Sequence, residues 1–431
     1  MNSNTSKFKL GVMITFGFFI IIGVAVFALS RSSLSQLNVD LVVWGTLTQD
    51  TFNQLKKDSI LAKDKNTTIT YVKKEQADFD QEFIEALAEG RGPDIVILRD
   101  DNVYKHRNRL FVIPYKSYPE RSFKDKFIEG SEVFLSPEGV VAVPFMVDPM
   151  VMYWNRNIFT NNLVAQPPQY WDQVFELTEK MTKRDTNGNV LQSTIALGES
   201  RNITNSKEIL ATLFLQAGTP IVQRNSAGIN SALSQSFDAP VLPSESTLNF
   251  YTQFSNPKSN YYTWNRSLPS SLNMFLGGNM AMYLGFASEI FSIQQKNSNL
   301  NFDVTYVPQA RNADRRTVFG HMYAFAITKQ SKSVLASYTA INALTEPAPL
   351  KSLEAVTNLP PIRRDMLVDK PVDAFRSVFY NSALISRSWI DPEPVVSTQI
   401  FRDMVESITS GRSRILQAIS TADSELNAEL K

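Results

Sequence analysis

Apolar and polar positions along this chain fall into short blocks whose period keeps changing. Residues 40–45, DLVVWG, are a continuous apolar burst, the pattern of a strand covered on both faces. Phe52, Leu55, Ile60 and Leu61 then recur at helical spacing over residues 48–63. TTITYV at 67–72 is β-branched and strand-like. Phe79, Phe83, Ile84 and Leu87 make one stripe of a helix over 79–88, closed by Gly90, and Pro93 and Asp94 introduce another buried strand over 95–98. The run predicts β-α-β-α-β, an α/β layer with parallel strands and right-handed crossovers.

Further strands are predicted over 140–144 and 150–153, with a loop, VPFMVDP, beginning within the first, and an amphipathic helix over 171–181. KRDTNGNV at 183–190 is a turn, because Asn187-Gly188 is a reverse-turn signal. Asp185, Asn187 and Asn189 imitate a calcium loop, but the glycine is at the wrong offset and Ala196 stands where a glutamate is needed. Helices are predicted over 245–254 and 268–276, strands over 302–307 and 323–327, and helices again from about 333 to 344, 398–405 and 414–429. In FLGGNMAMYLG, 275–285, the glycine pair is a helix stop and the apolar stretch after it is a buried strand, whose closing Gly285 lets something approach the backbone.

Residues 10–29, LGVMITFGFFIIIGVAVFAL, are uncharged and long enough to cross a bilayer core of roughly 30 Å. Lys7 and Lys9 precede them and place the N-terminal nine residues in the cytoplasm, with everything downstream outside the cell membrane. A cleaved signal peptide is the rival reading, with Val26 and Ala28 as the small residues before a cut. The polar residues 30–38 read as a tether.

At 431 residues the chain exceeds the size of a single growing core, so two lobes are expected. Lys plus Arg number 43 against 42 Asp plus Glu, which gives no electrostatic case for nucleic acid. The absence of cysteine excludes disulfides, thiol nucleophiles and zinc-thiolate sites. His106 and His321 are the only histidines and form no metalloenzyme motif, and neither a nucleophile elbow nor a phosphate-binding glycine loop is present. No metal or cofactor is therefore expected, and no catalysis.

Five segments in order carry a resemblance: GRGPDIVIL (90–98) with RLFVIP downstream, VVAVPFMVDPMVMYWNRNIF (140–159) with PPQYWDQV, FLGGNMAMYLG, AFAITKQSKS (324–333) and LPPIRRDML (359–367). The chain resembles extracellular solute-binding proteins of ABC importers, in the carbohydrate-binding family that includes maltose-binding protein. The resemblance implies a two-lobed, class II periplasmic-binding-protein-like α/β fold with a central cleft. Lobe 1 is expected over 39–146 plus 306–348 and lobe 2 over 147–305 plus 349–431, with the chain crossing near 144–150, 303–308 and 346–356. It also implies a monomer that binds a carbohydrate and delivers it to the permease subunits of an ABC transporter, anchored to the membrane through the N-terminal helix. A membrane-anchored polysaccharide-acting enzyme and a ligand-binding sensor module are the alternatives.

Sugars present apolar C–H faces and a rim of hydroxyls, which call for aromatic rings and for carboxylate or amide partners. Carried across position by position, the resemblance selects Asp101 with Asn102 beside it, and Asp148, as groups that bind hydroxyls; Asp100 is the alternative to Asp101. Trp44, Trp264 and Trp389 are candidate stacking platforms. Gly285, Phe286 and Ser288 are expected in the cleft wall, and Tyr323 where the chain recrosses nearby.

Overall fold

The computed structural model describes residues 38–226, 228–311, 313 and 315–431; the apolar segment 10–29, and all of the tether but its last residue, lie outside the described residues. Among the described residues no helix is long and apolar enough to cross a membrane.

Strand β1 (Val39–Gly45) pairs in parallel with β2 (Thr67–Lys73) and with β3 (Ile95–Arg99). Helix α1 (Gln49–Lys57) starts at Thr48, whose hydroxyl accepts from the Thr51 N–H, and buries Phe52 and Leu55. It stops earlier than the apolar spacing predicts, and Ile60–Ala62 form a separate 3-10 turn in which Ile60 is exposed. Helix α2 (Phe79–Ala88) buries Phe79, Phe83 and Leu87, and Gly90 takes the left-handed conformation just beyond it. Helix α3 (Asp100–His106) follows β3 without a connecting loop.

The next strand departs from the sequence reading. β4 (Val143–Asn155) is one continuous strand of 13 residues, running straight through the predicted VPFMVDP loop. Almost every position in it is buried, so the apolar run belongs between two packed layers rather than at a surface. Beyond it come α4 (Trp171–Met181), β5 (Val190–Ile195), the mostly buried α5 (Ser206–Gln216), and a hairpin of β6 (Val222–Asn225) and β7 (Gly228–Ser231). Helix α6 (Ser271–Leu276) ends at Gly277 and at Gly278, whose φ is 75°, and β8 (Met280–Phe286) is buried throughout, as the glycine pair predicts. Strands β9 (Phe302–Thr305) and β10 (Val318–Thr328), then helices α7 (Val334–Leu344), α8 (Pro347–Thr357), α9 (Pro394–Thr409) and α10 (Ile415–Glu429), complete the elements used below.

The strands run β2-β1-β3-β10-β4-β8-β5, and this order makes two lobes joined by two long antiparallel strands. β4 and β10 pair from Val143 with Phe325 to Pro149 with Gly320, and each then continues into the other lobe. Prolines disturb a ladder because they lack an N–H. Here the register shifts between Tyr323 and Ala324, which face Met146 and Pro144, so that Phe145 is an extra residue on β4, a bulge beside the proline. A third strand of chain passes the same point, where the Val147 N–H donates to the Pro360 carbonyl. Residues 143–149 of β4, the Gly320–Phe325 part of β10 and Pro360 thus run side by side. β9 lies beside the far end of β4, and α8 packs against α1.

Candidate functional site

In open α/β sheets the loops beyond the carboxyl ends of parallel strands converge, and groups placed there face the neighbouring lobe. β3 delivers Arg99 and then the first residues of α3. Arg99 donates through Nε to Oδ1 of Asp101 at 2.9 Å and through Nη2 to Oδ2, and the Asn102 amide adds a bond of 3.0 Å to Oδ1. Burial disfavours the Asp101 charge, but the Arg99 guanidinium outweighs it and holds the carboxyl below its ordinary value. Asp100, the alternative weighed from the sequence, points elsewhere. Its Oδ1 accepts from the Met322 N–H at 2.9 Å and lies 3.1 Å from His321 Nδ1, while Oδ2 accepts from the Ser388 hydroxyl.

Asp148 lies at the middle of β4. Its Oδ1 accepts the Ser288 N–H at 3.0 Å, and burial pushes the carboxyl up to about 6 against the pull of that hydrogen bond. Ser288 sits in the 3-10 turn that follows β8. Phe286, the last residue of β8, is buried with its ring 4.7 Å from the His321 imidazole, so it packs as a wall behind the polar groups. Gly285 admits a close approach, as its position suggests, but the approaching groups belong to the chain. A Cβ there would lie 2.6 Å from the Tyr283 ring and 3.0 Å from the Glu289 carboxylate. Glu289 is held by Tyr283 Oη, by the Phe286 N–H at 2.8 Å and by the Asn205 amide at 2.8 Å.

Tyr323 lies half-buried opposite Arg99 in the ladder. Together with Thr46, Gln76, Arg99 and Asn102 it lines a cavity of about 20 Å³, room for about one water molecule. Trp44, at the end of β1, carries the Lys74 ammonium 3.8 Å above its ring. Trp389 is buried and stacked on Phe401, with centroids 5.9 Å apart, although its polar neighbourhood in the sequence suggested a more open setting. Trp264 has no exposed surface at all, and its indole N–H donates to Asn202 at 3.0 Å. The structure therefore brings Asp101, Asn102, Asp148, Ser288, Phe286 and Tyr323 to the seam and puts Trp264 inside the second lobe, because a large ring with a nearby amide acceptor is more stable in the core.

Several seam residues carry no signal in the sequence. Lys207, on the first turn of α5, is buried and bonds Asp391 at 2.9 Å and Ser397 at 3.2 Å. Burial opposes its charge, but Asp391, Glu208 and Asp101 more than offset this and raise its pKa. The lobes are also tied directly: Lys105 to Glu393 at 2.8 Å, Arg387 to Glu129 at 2.7 Å, and the Tyr104 hydroxyl to the Leu430 carbonyl at 2.8 Å. In this arrangement the polar groups of the seam are satisfied by one another. The result is a collection of fixed donors and acceptors from both lobes.

A family model described as bacterial extracellular solute-binding protein matches residues 54–375. The chain belongs to this family. Solute-binding proteins of this kind act outside the cytoplasm and bind rather than transform, which accords with a site built from hydrogen-bonding groups. No match was found among curated protein sequences. Solved structures agree in fold with this solute-binding protein. A cyclo/maltodextrin-binding protein complexed with maltotetraose superposes with a TM-score of 0.73 at 16% identity, over 91% of this chain and 97% of that one. The cyclic α-maltosyl-1,6-maltose binding protein of Arthrobacter globiformis gives 0.73 at 13% identity over 91% and 99%. The Thermus thermophilus maltotriose binding protein, bound with maltotriose, gives 0.63 at 14% identity over 91% and 100%.

Proposed function

We propose that this protein is the sugar or oligosaccharide receptor of an ABC importer. The reading is supported by Asp101, just after β3, and Asp148, in the middle of β4, both acting electrostatically on Tyr323, with Asn102 bonded to the first and Ser288 to the second. Proteins of the same fold hold maltotetraose and maltotriose. The small volume beside Arg99 and Tyr323 supports reading this as the shut arrangement, with a ligand entering when the lobes part. Hydroxyls of the bound sugar then exchange with the internal partners of Asp101 and Asp148, and Tyr323, Phe286, Trp44 and Trp389 back its apolar faces. A ligand gripped by both lobes favours closure; one held by a single lobe leaves the equilibrium where it was.

The shut form is what the permease subunits recognise, and residues 10–29 anchor the receptor as a single-pass monomer with its lobes outside. No turnover is part of this reading. Titration calorimetry of residues 38–431 against a panel of mono- and oligosaccharides tests it. One saturable site is expected, weakened in Asp148→Ala with the melting profile retained. Silence toward every sugar, or hydrolysis of a chromogenic glycoside, overturns it.

A further inference from the structure

Helix α3 and the 3-10 turn Arg107–Arg109 that follows it have two working faces. Asn102, with Arg99 before it, faces the small cavity of the seam described above, whereas Val103, Tyr104, Arg107 and Asn108, at helical spacing, face a separate groove of about 650 Å³. That volume lies within the roughly 300–1,000 Å³ typical of small-molecule sites. One wall is α3 and the loop around Val133 and Leu135 in the first lobe. The other is the β6–β7 hairpin and Ile390 in the second.

The floor is apolar and incompletely covered: Tyr104, Val112, Val133, Ile229 and Ile390 are all half-buried. Around it stand Arg107, Arg224 and Lys329. None of these three pairs with a carboxylate among the described residues. Arg107 lies over the Tyr104 ring at 3.8 Å and donates to the Tyr104 carbonyl, and Arg224 donates to the Leu135 carbonyl at 3.0 Å. Of the two acidic residues on the groove, Asp100 is engaged by His321 and Ser388, and Glu138 accepts from Ser136.

An apolar trough with three cations, none of them paired to either of its two carboxylates, fits one kind of occupant. We propose that this groove binds a single-chain anionic amphiphile, its alkyl chain along Val103, Val112, Val133 and Ile390 and its anionic head at Arg107 and Arg224. Burial of the chain supplies the affinity and the guanidinium groups select the charge. Because the walls belong to different lobes, an occupant binds the present lobe arrangement better than any other and stabilises it. This site does not depend on what the seam near Asp148 binds.

The probe is decanoate, titrated calorimetrically into residues 38–431 below its aggregation concentration, with decanol as the uncharged analogue. One decanoate per chain is expected, with decanol weaker by about tenfold or more. The double variant Arg107→Glu with Arg224→Glu should lose decanoate binding by a similar factor while its melting temperature and its response to sugar stay unchanged. Ile229→Glu, half-buried on the β6–β7 hairpin, should also lose decanoate binding. The proposal is overturned if decanoate shows no saturable binding, if decanol binds as well, if the charge reversals leave affinity intact, or if an acidic peptide binds the groove where decanoate does not.

Discussion

Ser288 donates its backbone N–H across 3.0 Å to Oδ1 of Asp148, and its side chain bonds the same carboxylate, so the turn after β8 is held to the middle of the long strand β4. The side-chain and backbone donors of Ser288 do not compensate a fully buried carboxylate, which is why burial raises the Asp148 pKa from 3.8 to about 6.

The consequence for pH has a definite sign. The folded state holds the Asp148 proton more tightly than the unfolded state does, so the protonated carboxyl is tolerated below the unfolded value of about 4, and stability falls as pH rises through 6. The ionised group costs on the order of 3 kcal/mol above that window. Asp148→Asn should therefore exceed the parent in stability by about 2–3 kcal/mol at pH 8 and have little or no advantage near pH 4. Urea unfolding of both proteins at the two pH values measures this, and an advantage that does not change with pH would remove the carboxyl as its cause.

Lys207 and Asp391 are an ion pair with side chains only 6% and 1% exposed. Removing one partner of such a pair strands a charge in the interior, at a cost of about 3–5 kcal/mol. Lys207→Ala should show that loss in chemical unfolding at neutral pH. Lys207→Met combined with Asp391→Leu should cost clearly less than the sum of the two single changes, because neither charge is then stranded. Additive losses would mean that the two groups do not share their energy.

Gly285→Ala places a methyl group 2.6 Å from the Tyr283 ring and 3.0 Å from the Glu289 carboxylate. Both contacts lie in a packed layer, so the expected loss is about 1–3 kcal/mol. The same methyl in a Tyr283→Ala background should cost less, since the nearer of the two contacts is gone. An equal cost in both backgrounds, read from unfolding curves, would show that the strain arises from the backbone instead.

Much of the first lobe was readable in the sequence because its signals are local. The DLVVWG, TTITYV and IVIL blocks are strands where the pattern puts them, and the Gly277-Gly278 stop before β8 follows from what glycine alone can do. VPFMVDP was not readable. Its prolines and aspartate have the composition of a loop, and only pairing with β10, with Phe145 bulged beside Pro144, makes it a strand. Helix α5 was missed for a related reason: it is buried on most sides, so it lacks the polar stripe that marks an amphipathic helix.

The site divides in the same way. Asp101 and Asn102 could be placed just after a strand and Asp148 in a recognisable segment, and the chain's fold class and family follow from such segments in order. What sequence could not supply is which distant groups meet: His321 with Asp100, Lys207 with Asp391, Tyr283 and Glu289 with Gly285. Likewise Trp264 and Trp389 look alike as isolated aromatics, and only packing puts the first fully inside the second lobe and the second against Phe401. Local pattern determined the elements, because backbone conformation and periodic burial act over a few residues. The seam was decided by tertiary structure, because its charges and rings are brought together from positions up to hundreds of residues apart and their protonation depends on that company.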